Sequence, residues 1–247
     1  MKDFLKKLWR VIWKAAVCFF LVSIISVIVF RWVPIPVTPL MLVRCVEQTI
    51  DGRELKLKKD WVPFEEISPN LQLAVFCSED QHFIVHNGFD FEAIDKAMDY
   101  NATHKRQHGA STISQQTAKN VFLWPSRSWI RKGFEVYFVF LMETCWSKQR
   151  IMEVYLNVIE MGDGIYGAQA ASKAFFNKDA KYLSKSEAAL IAAVLPNPIR
   201  FSAAKPTAYI RKRQAWIMNQ MSAWGGSLKY EAPEEVEKKP KKRKKKE

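Results

Sequence analysis

The chain has 247 residues, 49% of them hydrophobic, and a net charge of +13, enough for one large domain or two small ones. Its four cysteines, Cys18, Cys45, Cys77 and Cys145, fall in no CxxC or Cys/His ligand spacing, so neither a zinc site nor a redox motif is supported. They read as small buried hydrophobes; Cys18 lies in an apolar run and the other three cannot all pair, so at most one disulfide fits.

Lys2, Lys6, Lys7, Arg10 and Lys14 open the chain, and an uncharged, almost wholly apolar run follows from Ala15 to Phe30. Counted through its flanks, 11–33 is long enough to cross a bilayer core of about 30 Å at about 1.5 Å per residue, with Trp9, Trp13 and Trp32 as interfacial anchors. The basic residues before the span put residues 1–10 in the cytoplasm and the rest outside. A cleaved signal peptide fits less well, because the run exceeds the usual ~7–15 residue core and no small-x-small site follows it.

Residues 34–65 read as a linker with a small β element. Pro34, Pro36 and Pro39 make a stiff exit, residues 42–46 suit a strand, and Asp51-Gly52 suits a hairpin turn. Ser68-Pro69, with Leu71, Ala74, Val75 and Ser78 at helical spacing, predicts a capped helix ending near Glu79 and Asp80. From the negative end of a helix dipole a carboxyl can trade protons, although by itself the segment reads slightly better as a solvated helix end. Phe91, Ile94 and Met98 then space like one buried helix face, before a basic connector at 104–108.

In the unit 109–120, Ser111 is the expected N-cap, and Ser, Thr, Gln and Asn stand where a surface helix would carry Glu and Lys. Such a helix suits a sugar, or is simply capped and hydrated. Residues 128–145 form the strongest amphipathic helix, with Glu135 at the margin of its apolar stripe and Arg131 at i−4 as a ready ion-pair partner. A helix over 148–161 ends in glycines, Ser184 to Glu187 is a capping box, and Pro206 opens a last helix, all reading as scaffold. The tail 238–247 holds eight Lys and Arg against one Glu; outside the cell it would meet anionic lipid or wall polymer, or act as a solvated extension, and no nucleic acid.

Taken together, EDQHFIVHNGFD at 79–90, GASTISQQ at 109–116, RKGFE at 131–135, RIMEVYLNVIEMGDGIYGAQAASKAFF at 150–176 and ALIAAVLPNP at 188–198 resemble the peptidoglycan glycosyltransferases. The likeness is to the monofunctional biosynthetic transglycosylases of Gram-negative bacteria, which share a catalytic domain with class A penicillin-binding proteins. It implies a mainly α, lysozyme-like domain over 66–230 behind one transmembrane helix, with 231–247 a disordered basic tail. It also implies a periplasmic domain half-embedded at the outer leaflet of the inner membrane, polymerising lipid II into β-1,4 glycan with inversion and release of undecaprenyl diphosphate.

By the same resemblance Glu79 is the base for the acceptor 4-hydroxyl, and Glu135 supports the leaving diphosphate, directly or through a divalent ion such as magnesium or manganese. Lys119 and Arg127 meet the diphosphate. Ser111, Thr112, Gln115, Gln116, Asn120, Arg131 and Lys132 complete the substrate side, and Asp80, Phe83, His86 and Gly88 shape the first motif. Two positions depart from the pattern: Ser114, where the family often has Thr, and Phe134, where it often has a basic residue, so one phosphate contact is lost. No SxxK, SxN and KTG set occurs, so crosslinking is expected to fall to partners such as penicillin-binding proteins and the division machinery. Two rival readings are a membrane-anchored glycan hydrolase with paired carboxylates and a non-enzymatic adaptor acting through its basic tail.

Overall fold

A computed structural model describes residues 2–104, 108–126 and 128–230; the expectations for Arg127 and for the tail 231–247 lie outside the described residues. The first helix, α1 (Lys2–Phe30), has neither glycine nor proline, and about 43 Å of helix follows from its 29 residues at about 1.5 Å each. It is long and apolar enough to cross a membrane. It starts before residue 11 and stops before 33, because residues 31–33 form a turn ahead of Pro34. Most of its side chains are exposed, Cys18 among them, so that cysteine is not the buried hydrophobe expected.

The strand expected at 42–46 is instead part of a helix, α2 (Pro39–Ile50). Thr38 caps it, accepting from the Met41 amide, and Pro39 sits in the first turn, where its missing N–H costs nothing. Asp51 and Gly52 end this helix rather than turning a hairpin. The small β element exists elsewhere: β1 (Lys58–Lys59) runs parallel to β3 (Ile165–Tyr166), which pairs antiparallel with β2 (Glu160–Gly162).

Seven consecutive residues, Leu71 to Cys77, are buried in α3 (Pro69–Glu79), so this helix is enclosed on every side rather than amphipathic. Ser68 caps it, as expected. It packs on α9 (Lys185–Val194), opened by the Ser184 to Glu187 capping box, and on α10 (Ala208–Ala223), capped by Thr207. On the other flank α5 (Ile113–Phe122) packs against α6 (Trp129–Cys145) and α7 (Lys148–Val158). A further helix, α8 (Ala168–Phe176), closes over the sheet. By contrast α4 (Phe91–Thr103) buries no residue: Phe91 and Met98 are 72% and 66% exposed, against the expectation of a buried face. All four thiols are free; Cys77 is enclosed in the core, and burial pushes its pKa up to about 11.

The end of α1 is held by the domain behind it. Arg150 Nε and Nη2 donate to the Phe30 carbonyl at 3.1 and 2.8 Å, and Nη2 also reaches the Val33 carbonyl at 2.8 Å. A guanidinium here meets helix-end carbonyls that have no partner of their own and the negative end of the dipole. Arg150→Ala is expected to lose about 1–3 kcal/mol of local stability. Hydrogen exchange of the 31–37 amides in detergent should then accelerate by roughly one to two orders of magnitude; unchanged exchange would count against this clamp.

Candidate active site

Glu79 is the last residue of α3, its side chain only 13% exposed, and three neighbours orient it. Gln116 Nε2 donates to its Oε2 at 3.1 Å and the Ser78 hydroxyl to its Oε1 at 3.0 Å. Arg213 Nη2 stands 3.8 Å from Oε1 and donates to Ser78 Oγ at 3.2 Å. The Gln116 amide cannot flip freely, because its own Oε1 accepts from the buried Tyr155 hydroxyl at 3.2 Å. Arg213, on the helix read as scaffold, and Tyr155 were not anticipated from the sequence.

Asp80, next in the chain, faces the other way and is buried. Its carboxylate accepts from the Ile113 amide at 3.0 Å, the first residue of α5, and from His86 Nε2 at 3.0 Å. Because His86 Nδ1 accepts from the Gly88 amide at 3.1 Å, the ring proton sits on Nε2 and points at Asp80. The Gly88 carbonyl in turn accepts from Thr112 Oγ1 at 2.7 Å. Thr112, not Ser111, is the N-cap of α5, and Gln115 completes the capping box by accepting from the Thr112 amide. Both are thus spent on backbone and sit buried, while Ser111 stays exposed at the cleft. Phe83 is fully buried beneath the turn.

Glu79, Ser111, Gln116, Lys119, Asn120, Arg131, Lys132 and Glu135 line one cleft of about 670 Å³. Glu135 is 3% exposed and paired on both sides: Arg131 Nη1 donates to Oε2 at 2.7 Å, and Lys132 Nζ to Oε1. Lys119 opens into the cleft with no ion-pair partner among the described residues. Burial by surrounding protein lowers its pKa, Glu135 opposes this, and Arg131 and Lys132 add to it. Asn120 donates to the Gln116 carbonyl at 2.7 Å, and its own buried Oδ1 has no partner. Both oxygens of Glu135 are engaged by cations, and no three His, Cys, Asp or Glu side chains converge among the described residues. This donor set does not fit a resident magnesium or manganese ion, and no step below is routed through one.

A basic, concave, partly apolar cleft with one accessible carboxylate and a group of cations can take a proton at one end and hold an anion at the other. The transglycosylase family profile matches residues 47–222. The chain is 58% identical over 218 residues to a biosynthetic peptidoglycan transglycosylase of Bacteroides thetaiotaomicron, covering 88% of each chain. It is 56% identical over 209 residues to one from Bdellovibrio bacteriovorus, covering 85% of this chain and 84% of that protein. With one from Pseudomonas aeruginosa it shares 49% identity over 222 residues, covering 90% and 96%.

Gly88 has φ +89, and a Cβ there would stand 2.4 Å from Val139 Cγ1 on α6. Gly88→Ala should therefore cost about 2–4 kcal/mol, from left-handed strain and overpacking together. Thermal unfolding would register it as a clear fall in Tm; an unchanged Tm would mean the loop relaxes without loss.

Proposed function

The chain belongs to the transglycosylase family and is a peptidoglycan transglycosylase, and from that premise we propose that it polymerises lipid II, releasing undecaprenyl diphosphate, with Glu79 as general base. The observation that carries the base assignment is the cleft itself: Glu79 is held in it at 3.1 Å from the Gln116 amide, with Lys119, Arg131 and Lys132 on its walls. A sugar hydroxyl is a poor nucleophile until its proton is taken, and a departing diphosphate gathers charge that cations must offset.

The acceptor 4-hydroxyl gives its proton to Glu79 as its oxygen bonds to the donor's anomeric carbon. The bond from that carbon to the diphosphate breaks on the opposite face, leaving its electron pair on oxygen and inverting the centre. Glu79 then returns its proton to water. Lys119, which has no ion-pair partner among the described residues, is the natural contact for the diphosphate, with Arg127 assigned beside it by the family pattern. Glu135 acts on the leaving group through Arg131 and Lys132, which it holds at the cleft. Ser111, Gln116 and Asn120 line the sugar side, and Thr112, Gln115, Asp80, Phe83, His86 and Gly88 support it from behind.

The same reading makes α1 the inner-membrane anchor, with the amino terminus cytoplasmic and residues 66–230 a periplasmic catalytic domain. The exposed apolar side chains of Val85, Phe91, Met98, Trp129, Ile130 and Phe140 support contact with lipid, where the substrate resides. Penicillin-binding proteins and the division machinery would crosslink and direct the product.

Full-length protein given lipid II in detergent is expected to yield polymer that lysozyme digests. Glu79→Gln should lower turnover by roughly 100- to 10,000-fold while leaving donor-analogue binding intact. Wild-type turnover in that variant would remove Glu79 from the role of base. Lys119→Ala should weaken binding and turnover together, by roughly tenfold or more; a turnover loss with full donor affinity would place the diphosphate elsewhere.

A further inference from the structure

Glu143 and Lys148 have no task in the mechanism above, and each stands at the wrong end of its helix. Glu143 lies in the last turn of α6, where the dipole disfavours an acid, and Lys148 is the first residue of α7, where it disfavours a cation. A pair placed against two local preferences is held there by something beyond its own helices. The two side chains meet largely out of water, Glu143 9% and Lys148 14% exposed, with Lys148 Nζ 2.9 Å from Glu143 Oε1 and 2.8 Å from Oε2.

Both reach further. Lys148 Nζ also donates to the His86 carbonyl at 2.5 Å and stands 4.9 Å from the centroid of the buried Phe83 ring. Glu143 Oε1 accepts at 2.5 Å from the hydroxyl of Ser114, the second residue of α5, and a Cβ at Gly88 would lie 3.1 Å from Glu143 Cγ. The pair therefore ties the loop after Glu79 to the first turn of α5, working from α6 and α7. Lys148 shares one face of α7 with Tyr155, seven residues on, whose hydroxyl donates to the Gln116 amide oxygen at 3.2 Å.

Replacing a buried ion pair by apolar side chains of the same volume is often neutral for stability, so folding alone gives little reason for two charges here. What the charges add is directed geometry, in contacts of 2.5–2.9 Å to two separate segments. Neither residue lines the cleft, so neither touches substrate. We infer that Glu143 and Lys148 are positioning residues for the reaction: they hold the His86 loop and the start of α5 at one spacing and so keep the Gln116 amide on Glu79. The inference deepens the proposed function and rests on Glu79 being the base.

Position can be read apart from turnover. Full-length protein in detergent is labelled with 15N-glutamine, and the Gln116 side-chain amide is followed in wild type, in Glu79→Ala, and in a double variant joining Glu143→Gln to Lys148→Met. Changing both residues leaves no buried charge without its partner. The double variant is expected to move the Gln116 resonance toward its place in Glu79→Ala. Its kcat on lipid II should fall roughly ten- to hundredfold, while KM and affinity for an unreactive lipid II analogue stay within about twofold of wild type. Ser114→Ala, which leaves the ion pair whole, should move the same resonance less and lower kcat roughly three- to tenfold; it decides alone if the double variant melts early. An unmoved resonance, a moved one with full turnover, or a loss of analogue affinity equal to the loss of kcat overturns the assignment. Normal turnover in Glu79→Gln would sink the base reading, while the resonance still tells whether the pair holds Gln116.

Discussion

A carboxylate removed from water has to be met by donors wherever water is lost, and Asp80 is met by two that lie far apart in the chain. One is the Ile113 amide, 33 residues on at the start of α5; the other is His86, whose proton is fixed by the Gly88 amide. The bond to Ile113 satisfies one of the unpartnered N–H groups of the helix and sets a negative charge at the positive end of its dipole. It therefore locks the loop after α3 to the start of α5, and the hydrogen bond from Thr112 to the Gly88 carbonyl closes the knot from the other side. Glu79 precedes Asp80 and Gln116 lies one turn into α5, so the 3.1 Å contact between them is inherited from this knot. Without Asp80 buried and paired, the accessible acid would lose Gln116 as a fixed partner and keep only Ser78 and Arg213.

Charge in the cleft obeys a similar logic. Lys119, Arg131 and Lys132 would repel one another if gathered without an acid, and Glu135 is buried among them to offset that repulsion. Two partners meet a carboxylate whose desolvation one would not offset, since a buried ion stripped of partners costs several kcal/mol. Lys119 has no carboxylate in ion-pair contact among the described residues, and its pKa is lowered chiefly by burial, against the opposing pull of Glu135 and with Arg131 and Lys132 adding to the shift. An anion arriving at the cleft would reverse the shift and gain from doing so. Burial of Glu135 thus offsets the mutual repulsion of Arg131 and Lys132 and holds both at the cleft.

Much of this was legible in the sequence where the signal is local. Ser68 before Pro69 and the Ser184 to Glu187 box each cap the helix they announce, because a cap is made within four residues. The strand reading at 42–46 failed on a signal that was present: Thr38-Pro39 is a helix start, and it outweighs a short apolar run. Ser111 lost the cap to Thr112, whose place three residues before Gln115 allows the reciprocal bond. The spacing of Phe91, Ile94 and Met98 reports an apolar face but not what covers it, and the packed domain leaves it open. Arg213 was illegible, since its contact with Ser78 crosses 135 positions, and the 3.7 Å ion pair of Arg44 with Glu160 joins two segments with no shared pattern.

The departure at Phe134 has a physical account once α1 is in view. The family pattern often carries a basic residue there, next to Glu135. Phe134 instead meets Phe19 of α1 edge-on, with ring centroids 5.3 Å apart, and Tyr137, one turn on, shares a hydrogen bond with Ser23 at 2.7 Å. Trp146, just past the end of α6, donates to the Val27 carbonyl at 2.7 Å. The helix that carries Arg131, Lys132 and Glu135 is therefore also the helix on which α1 lies. A charge at 134 would sit against an apolar helix, whereas Phe134 packs on it and so fixes the helix that carries the cation cluster relative to α1.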